Sequence, residues 1–342
     1  MKMMRQSWLM TLVMVLGLGF GVASAPAQEN EPAAATKPAP AVELPKQIRI
    51  NLAWQIALDA VDFSPGLLDG HFVRKGNMAV SEYAAANFPG LSPFDQKVYE
   101  ALQVDVAHAL AKYLVTADDA AQVGMLPEDW NEKEKLKRLP YETLQEMVAE
   151  KFHCTRALLA MLNPGVDMAA LDVGQELNVP NLRPLPSDNK VVVPRKPTNT
   201  GFIEVNLAQK AIRVYDKENK QIALFHCSIA KNKEKLPAED MTVVHIAAPE
   251  PNYTFDPKNW PEVKTVDRVL IIPPGPRNPV GLAWISLSKP GYGMHGTPKP
   301  ELIGKTGSHG CFRLPNWDAL KLAGLVREGM LVKVVNPEKD GG

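Results

Sequence analysis

The sequence predicts a multidomain protein with a mostly-β C-terminal domain, a β-sandwich with one late helix. A βααβ unit and a small α-helical domain precede it. Apolar residues recur with a helical period before about residue 162 and alternate from residue 201. Proline-rich stretches separate these regions. The chain has 342 residues, 45% hydrophobic and 22% charged, which suits several globular domains rather than disorder or a single domain.

The charge and cysteine content exclude some classes of protein. Lys+Arg and Asp+Glu number 38 each, so the formal charge is zero. An extended nucleic-acid interface needs a basic face, so no nucleic-acid partner is expected. Three cysteines are too few for a disulfide scaffold and odd in number, which leaves at least one free or reactive thiol.

Residues 1–27 have the pattern of a signal peptide. Lys2 and Arg5 precede an uncharged stretch that ends in small residues, with an A-x-A pattern at Ala25 and Ala27. We expect cleavage after Ala27, export to the periplasm or cell wall, and no membrane association afterwards. An uncleaved N-terminal anchor is the alternative.

Four further stretches are expected to connect domains or to end the chain. Residues 28–48 are rich in Ala, Pro and Glu and predict a disordered linker. Residues 105–137 form a connector, residues 182–200 a Pro-rich linker, and residues 337–342 a tail.

Residues 49–104 predict a small helical domain. Leu52, Ile56 and Ala60 share one helical face, and Ser92-Pro93 is a good helix start. Between them, residues 64–70 read S-P-G-L-L-D-G. This loop resembles that of the three-helix peptidoglycan-binding module. The alternative is a helical spacer with no ligand.

Residues 138–181 predict a βααβ unit. Thr143-x-x-Glu146 is a capping box for a first helix, and Thr155 can cap a second. Asn163-Pro164 ends that helix, and residues 175–180 alternate like an edge strand that ends in Pro.

The βααβ unit resembles the lysin motif, a carbohydrate-binding module. Phe152, Asn163-Pro164 and Gly174–Pro180 match its landmarks, whereas Tyr141-Glu142-Thr143 replaces the usual Gly-Asp-Thr/Ser turn. The resemblance implies glycan strands as a partner.

Residues 201–336 predict the mostly-β domain. Residues 202–207 alternate, with Ile203, Val205 and Leu207 on one face, and a hairpin is expected to continue through Ile212–Tyr215. One helix is expected from about Asn316 to Glu328. The remaining strand candidates are Ile222–Ile229, Leu282–Ser288 and Met330–Val335.

The candidate chemistry lies between residues 291 and 314. Cys311 is flanked by Gly310 and lies near two histidines, His295 and His309. A thiolate is a nucleophile, and an imidazole can take the thiol proton. Backbone N–H groups around Gly310 could face a tetrahedral oxyanion. These residues suffice for acyl transfer by a Cys–His mechanism.

Other interpretations of these residues are weaker. Cys154 and Cys227 are expected to be buried and structural, and a disulfide between them would have to bridge two domains. A zinc site at His295, His309 and Cys311 would have unusually tight His-x-Cys spacing and no evident fourth ligand.

A dinucleotide site is also disfavoured. Residues 291–296 read G-x-G-x-x-G, which is a dinucleotide-binding pattern only where a helix begins. The prolines at 298 and 300 prevent that helix.

The two motifs together resemble the bacterial L,D-transpeptidase catalytic domain. That family has His-Gly, a spacer of about a dozen residues, and then S/T-H-G-C-x-R. Here the motifs are His295-Gly296-Thr297 and Ser308-His309-Gly310-Cys311-Phe312-Arg313. One departure lies at Lys235–Asp240, which lacks the Gly of a common T-P-x-G turn.

The resemblance assigns roles. Cys311 would attack the carbonyl between a diamino acid at stem-peptide position three and D-Ala at position four. His295 would be the general base, oriented by a backbone carbonyl near Gly296. The N–H groups of Gly310 and Cys311 would form the oxyanion hole, and Arg313 would orient donor carboxylates.

The remaining motif residues are expected to serve the substrate site. Thr297, Ser308 and His309 are candidate substrate-binding residues, with Ser308 and His309 shaping the loop rather than taking part in the chemistry. The partners would be donor and acceptor stem peptides, joined by a 3→3 cross-link, together with glycan strands. No metal or organic cofactor is required, and the sequence does not indicate an oligomeric state.

Two alternative functions remain open. Water could resolve the thioester, which would make the protein an L,D-carboxypeptidase or endopeptidase. The chain could also be a non-catalytic wall-binding protein with a vestigial enzyme fold. The resemblance further implies that carbapenem β-lactams acylate Cys311.

Overall fold

The computed structural model describes residues 36–182, 190–193, 199–260, 263–308 and 310–336. The helices within these ranges are α1 (Lys46–Ala60), α2 (Arg74–Asn87), α3 (Gln96–Ala101), α4 (Ala117–Ala120), α5 (Trp130–Glu134), α6 (Leu144–Lys151), α7 (Arg156–Leu162) and α8 (Asn316–Leu325). The strands before residue 230 are β1 (Leu110–Leu114), β2 (Glu176–Pro180), β3 (Thr200–Asn206), β4 (Ala211–Asp216) and β5 (Gln221–His226). The later strands are β6 (Met241–Ala247), β7 (Tyr253–Phe255), β8 (Leu270–Ile272), β9 (Trp284–Leu287), β10 (Gly293–His295), β11 (Phe312–Arg313) and β12 (Leu331–Val335).

The N-terminal helices pack on the C-terminal domain. Arg213 on β4 pairs with Glu82 on α2 and with its strand neighbour Glu204. Helix α3 begins later than the Ser92-Pro93 pattern predicts, because Asp95 is its N-cap and accepts from the Lys97 N–H at 2.9 Å.

A two-stranded sheet closes the βααβ unit. Strand β1 pairs antiparallel with β2, so this unit begins within the segment expected to be a connector. Residues 115–143 separate β1 from α6 and form what we call the insertion. The predicted capping residues are in place: Thr143 accepts from the Glu146 N–H and Thr155 from the Leu158 N–H.

The segment before α1 lies along the edge of β2. The Lys37 N–H donates to Gly174 O at 2.8 Å, and Lys37 O accepts from the Glu176 N–H at 2.8 Å. The described part of the expected disordered linker therefore has fixed backbone partners. The expected signal peptide, most of the linker at 182–200 and the tail lie outside the described residues.

The C-terminal domain is one curled sheet and not the sandwich that the sequence predicts. Its eight strands are ordered β11-β10-β9-β6-β12-β3-β4-β5. The register shifts at three places, between Thr200 and Phe202, Val214 and Tyr215, and Val243 and His245. Bulges of this kind increase the twist, so one sheet can curl and bury its own face against α8. All eight strands and α8 contribute to that core.

The insertion holds the β7–β8 hairpin. Trp130 on α5 stacks on Phe255 of β7 with ring centroids 4.3 Å apart. Leu139 is fully buried with Phe255 and Leu270 in a separate apolar cluster, and its N–H donates to Pro274 O. Arg138 and Glu250 form an ion pair across the same junction. The hairpin is thus packed against the βααβ unit.

No helix within the described ranges has both the length and the apolar character needed to cross a membrane.

Candidate active site

The pairing of β10 and β11 brings the two motifs together. These strands are parallel, with Met294 opposite Phe312 and His295 opposite Arg313. Met294 and Phe312 are fully buried in the core. Because side chains alternate along a strand, His295 and Arg313 lie on the other face, and Cys311 precedes β11 in the same alternation. The pairing therefore places the imidazole of His295 on the strand next to the one that Cys311 leads into, on the same face.

His295 is buried and its ring is fixed. Its Nδ1 lies 2.6 Å from Gly296 O. A carbonyl only accepts, so Nδ1 carries the proton and the lone pair is on Nε2. Burial lowers the pKa of His295 to about 4; the Gly296 hydrogen bond opposes this and the Arg313 charge adds to it. The imidazole is neutral at pH 7 and can act as a base.

Cys311 is protonated at rest. Burial raises the pKa of its thiol, while a backbone hydrogen bond from Gly293 and the Arg313 charge act in the opposite direction. Its Sγ lies 3.5 Å from Gly291 O, a carbonyl that accepts from a thiol. The resting pair is a thiol and a neutral imidazole, so proton transfer must accompany attack on a substrate.

Ser308 shapes the loop that carries Cys311. Its hydroxyl donates to Cys311 O at 2.5 Å and accepts from the Gly310 N–H at 3.2 Å. Its backbone N–H donates to Ile229 O. The Gly310 N–H, which the family resemblance assigns to an oxyanion hole, therefore has Ser308 Oγ as its partner here. His309 lies outside the described residues.

Arg313 and Thr297 line a cavity of about 190 Å³. Lys299 also lines it, so the cavity carries positive charge. Arg313 donates only a long bond, 3.5 Å, to Gly307 O, and among the described residues no carboxylate pairs with it. Neither Cys311 nor His295 lines this cavity. Such a cavity suits an anionic group of a substrate.

Several residues at the site were missed by sequence reasoning. Tyr292 donates from its hydroxyl to Lys235 O at 2.6 Å, at the segment that lacks the T-P-x-G glycine. A Cβ on Gly293 would lie 2.5 Å from the Trp284 ring, and one on Gly296 would overlap the Asn316 side chain. Gly293 and Gly296 of the G-x-G-x-x-G run therefore mark close packing around β10, and these two glycines were the available signal.

The other two cysteines are buried thiols, although Cys227 is next to Ser228, which pairs with Arg313. Cys154 and Cys227 are free and buried, and burial raises the pKa of each to about 12. Within the described residues no group of three His, Cys, Asp or Glu side chains is arranged to hold a metal ion.

The family model for the L,D-transpeptidase catalytic domain (YkuD) matches residues 200–334. These residues form an L,D-transpeptidase catalytic domain. The match covers the curled sheet from the start of β3 to Val334 in β12 and includes both motifs, which supports an enzyme of this type.

Two relatives from Bacillus are similar to this chain, and both are named as the L,D-transpeptidase YkuD. The Bacillus licheniformis protein is 29% identical over 57% of this chain and 94% of its own length. The Bacillus subtilis protein is 26% identical over 56% of this chain and 93% of its own length. A solved L,D-transpeptidase from Mycobacterium smegmatis is 16% identical, with a TM-score of 0.31, over 40% of this chain and 59% of its own.

Proposed function

We propose that this chain is an exported L,D-transpeptidase that forms 3→3 cross-links between peptidoglycan stem peptides. The donor is a tetrapeptide stem, and D-Ala is released when Cys311 forms a thioester. The observation that carries the proposal is the parallel β10–β11 pairing, which sets His295 and the Cys311 loop side by side within an L,D-transpeptidase domain.

The first half-reaction begins from the thiol and the neutral imidazole. His295 Nε2 takes the Cys311 proton as sulfur attacks the carbonyl before D-Ala. The C–N bond then breaks, and the D-Ala amine leaves with the proton from His295. No ATP is needed, because the energy of the peptide bond is kept in the thioester.

The second half-reaction reverses these steps. The side-chain amine of an acceptor stem attacks the thioester and gives its proton to His295. The C–S bond breaks and Cys311 regains its proton. Backbone N–H groups of Gly310 and Cys311 would stabilise each oxyanion, which requires the Gly310 N–H to leave Ser308 Oγ when substrate binds.

The donor is held by its carboxylates. Arg313 has no acidic partner among the described residues and lines a positively charged cavity with Lys299 and Thr297. A guanidinium binds a carboxylate in a two-pronged manner, which fixes orientation as well as affinity. We assign Arg313 and Thr297 to substrate binding, with Ser308 and His309 shaping the loop.

The N-terminal units would bind the wall. The βααβ unit, which resembles a lysin motif, is assigned to glycan strands, and the helical unit to peptidoglycan more generally. Both raise the local concentration of an insoluble substrate. Export through residues 1–27 places the enzyme in the periplasm or cell wall.

Product analysis tests the proposal. Residues 28–342 are incubated with purified disaccharide-tetrapeptide, and the products are measured by mass spectrometry, with Cys311→Ala as the control. A cross-linked dimer that lacks one D-Ala supports transpeptidation. Tripeptide monomer alone would make the protein a carboxypeptidase, and an unchanged substrate would favour a non-catalytic wall-binding protein.

A further inference from the structure

The carbonyl that orients His295 belongs to a peptide that is itself tightly enclosed. Gly296 donates its N–H to Ala283 O at 3.1 Å. A Cβ at Gly296 would overlap the Asn316 side-chain oxygen and approach the Leu282 nitrogen at 3.1 Å. The position of Gly296 O, and hence of the imidazole, therefore depends on where the Asn316 amide lies.

Asn316 is fully buried at the first position of α8. Its Oδ1 accepts from the Leu282 N–H at 3.1 Å. Its Nδ2 donates to Pro276 O at 3.3 Å and to Glu150 Oε1 at 2.9 Å. The shorter of the two Nδ2 bonds thus goes to a residue outside the catalytic domain.

Glu150 lies on α6 of the βααβ unit. The same oxygen, Oε1, also accepts from the Tyr141 hydroxyl at 3.1 Å. Tyr141 lies three residues before α6, so the segment that leads into this helix also holds the carboxyl group. The βααβ unit therefore presents a fixed acceptor to the asparagine that packs on Gly296.

We propose that Glu150 and Asn316 are positioning residues for His295, through which the βααβ unit holds the catalytic imidazole in its working orientation. The inference rests on the proposed role of His295 as the base. Glu150 touches neither substrate nor thiol. Its effect passes through Asn316 to the Gly296 peptide and ends at the Nδ1 hydrogen bond.

Such an arrangement matters because proton transfer depends strongly on the distance and orientation of the base. A general base works only within hydrogen-bonding distance of its proton, and small misplacements are costly. Loss of the Glu150 acceptor would leave the Asn316 amide with a buried, unpaired donor N–H. The amide can then turn, and Gly296 O can move away from His295 Nδ1.

Helix α6 supplies a matched control. Glu146 lies one turn before Glu150 and accepts from Arg277 Nη1 at 2.8 Å, across the same junction between the units. Neither Glu146 nor Arg277 bonds to Asn316 among the described contacts. Glu146→Ala therefore weakens the junction without removing a hydrogen bond on the path to His295.

The test uses residues 28–342 with ¹⁵N-labelled histidine. The His295 resonances, assigned with His295→Gln, show which ring nitrogen carries the proton. Glu150→Ala is expected to mix the two tautomers, to lower kcat by ~10-fold and to leave KM within ~2-fold. Glu150→Gln, which keeps an acceptor oxygen, and Glu146→Ala are expected to resemble the parent protein in both measurements.

Two results would overturn the inference. One is an unchanged His295 tautomer in Glu150→Ala. The other is an equal change in Glu146→Ala, because the effect would then come from general loosening. If Glu150→Ala does not fold, Glu150→Met fills the same space without accepting a hydrogen bond and takes its place. The NMR comparison needs no turnover. If the parent protein is inactive, the proposed function is contradicted, but the tautomer of His295 in Glu150→Ala still tests this inference.

Discussion

The hydroxyl of Ser64 donates to Asp318 Oδ2 at 2.8 Å, in a buried contact between the helical unit and α8. Both residues are almost fully buried. Burial raises the pKa of Asp318 to about 7; Lys321 opposes this, and Asp59 adds to it. The junction between these units therefore contains a carboxyl group that titrates near neutral pH.

This carboxyl group makes folding stability fall as the pH rises. Asp318 is protonated in the folded protein up to about pH 7, whereas in the unfolded chain it ionises near pH 4. The folded state holds more protons between these values, so stability decreases across this window and is constant above it. We expect Asp318→Asn, which can still accept from Ser64, to raise stability at pH 8 by about 1–3 kcal/mol and to change little at pH 4.

Thermal unfolding of the parent protein and Asp318→Asn at pH 4, 6 and 8 measures this difference. Glu150, whose pKa burial also raises to about 7, remains in both proteins and so cancels. A constant difference in Tm across the three pH values would show that Asp318 does not titrate in this window.

The nucleophile should be selectively acylated. We expect a carbapenem to add once to the parent protein and to label Cys311, because this thiol is only partly buried. Cys154 and Cys227 are buried, with pKa values raised to about 12, and should remain unlabelled. Intact-mass and peptide mass spectra identify the site. An adduct that persists in Cys311→Ala would refute the assignment.

The pH dependence of kcat/KM should report the depressed pKa of His295. Below about pH 4 the imidazolium has no lone pair on Nε2 and cannot accept the thiol proton. We expect the acid limb to lie near pH 4 rather than near 6.5, the usual histidine value. His295→Gln should lower kcat ~10³-fold without unfolding the domain. An acid limb near pH 6.5 would mean that burial does not govern this base.

Arg313→Lys tests carboxylate binding. Lysine keeps the charge but loses the two-pronged geometry, so KM for the tetrapeptide donor should rise ~10-fold, with a smaller change in kcat. A donor whose carboxylates are amidated should bind both proteins equally. If Arg313→Lys impairs both donors to the same extent, Arg313 has a structural role instead.

Much of the fold follows from local patterns. The strong alternation of Ile203 and Val205 predicts β3, and the caps at Thr143 and Thr155 predict α6 and α7, because the N-cap hydrogen bond is made within four residues. Strands β10 and β11 have three and two residues, which is too short for any period to show. The pairing of β1 with β2 was not predicted, because the insertion separates β1 from the rest of the βααβ unit in the sequence.

The candidate site was also predicted only in part from the sequence. Cys311 and His295 were predicted because their chemistry is carried by residue type and spacing. The contact of Asn316 with Glu150 joins residues 166 positions apart, and no local pattern records it. Likewise, the Gly310 N–H was expected to be open, but the hydroxyl of Ser308, two residues earlier, occupies it.

The insertion between β1 and α6 limits how this enzyme can be truncated or recombined. Leu139 and Trp130 cover Phe255, which is fully buried in the whole chain. A fragment cut at residue 200 would expose that ring and Leu270 to water, so it would be prone to aggregate. The βααβ unit therefore cannot be exchanged for another module by itself. A replacement would also have to supply apolar side chains that pack on the β7–β8 hairpin.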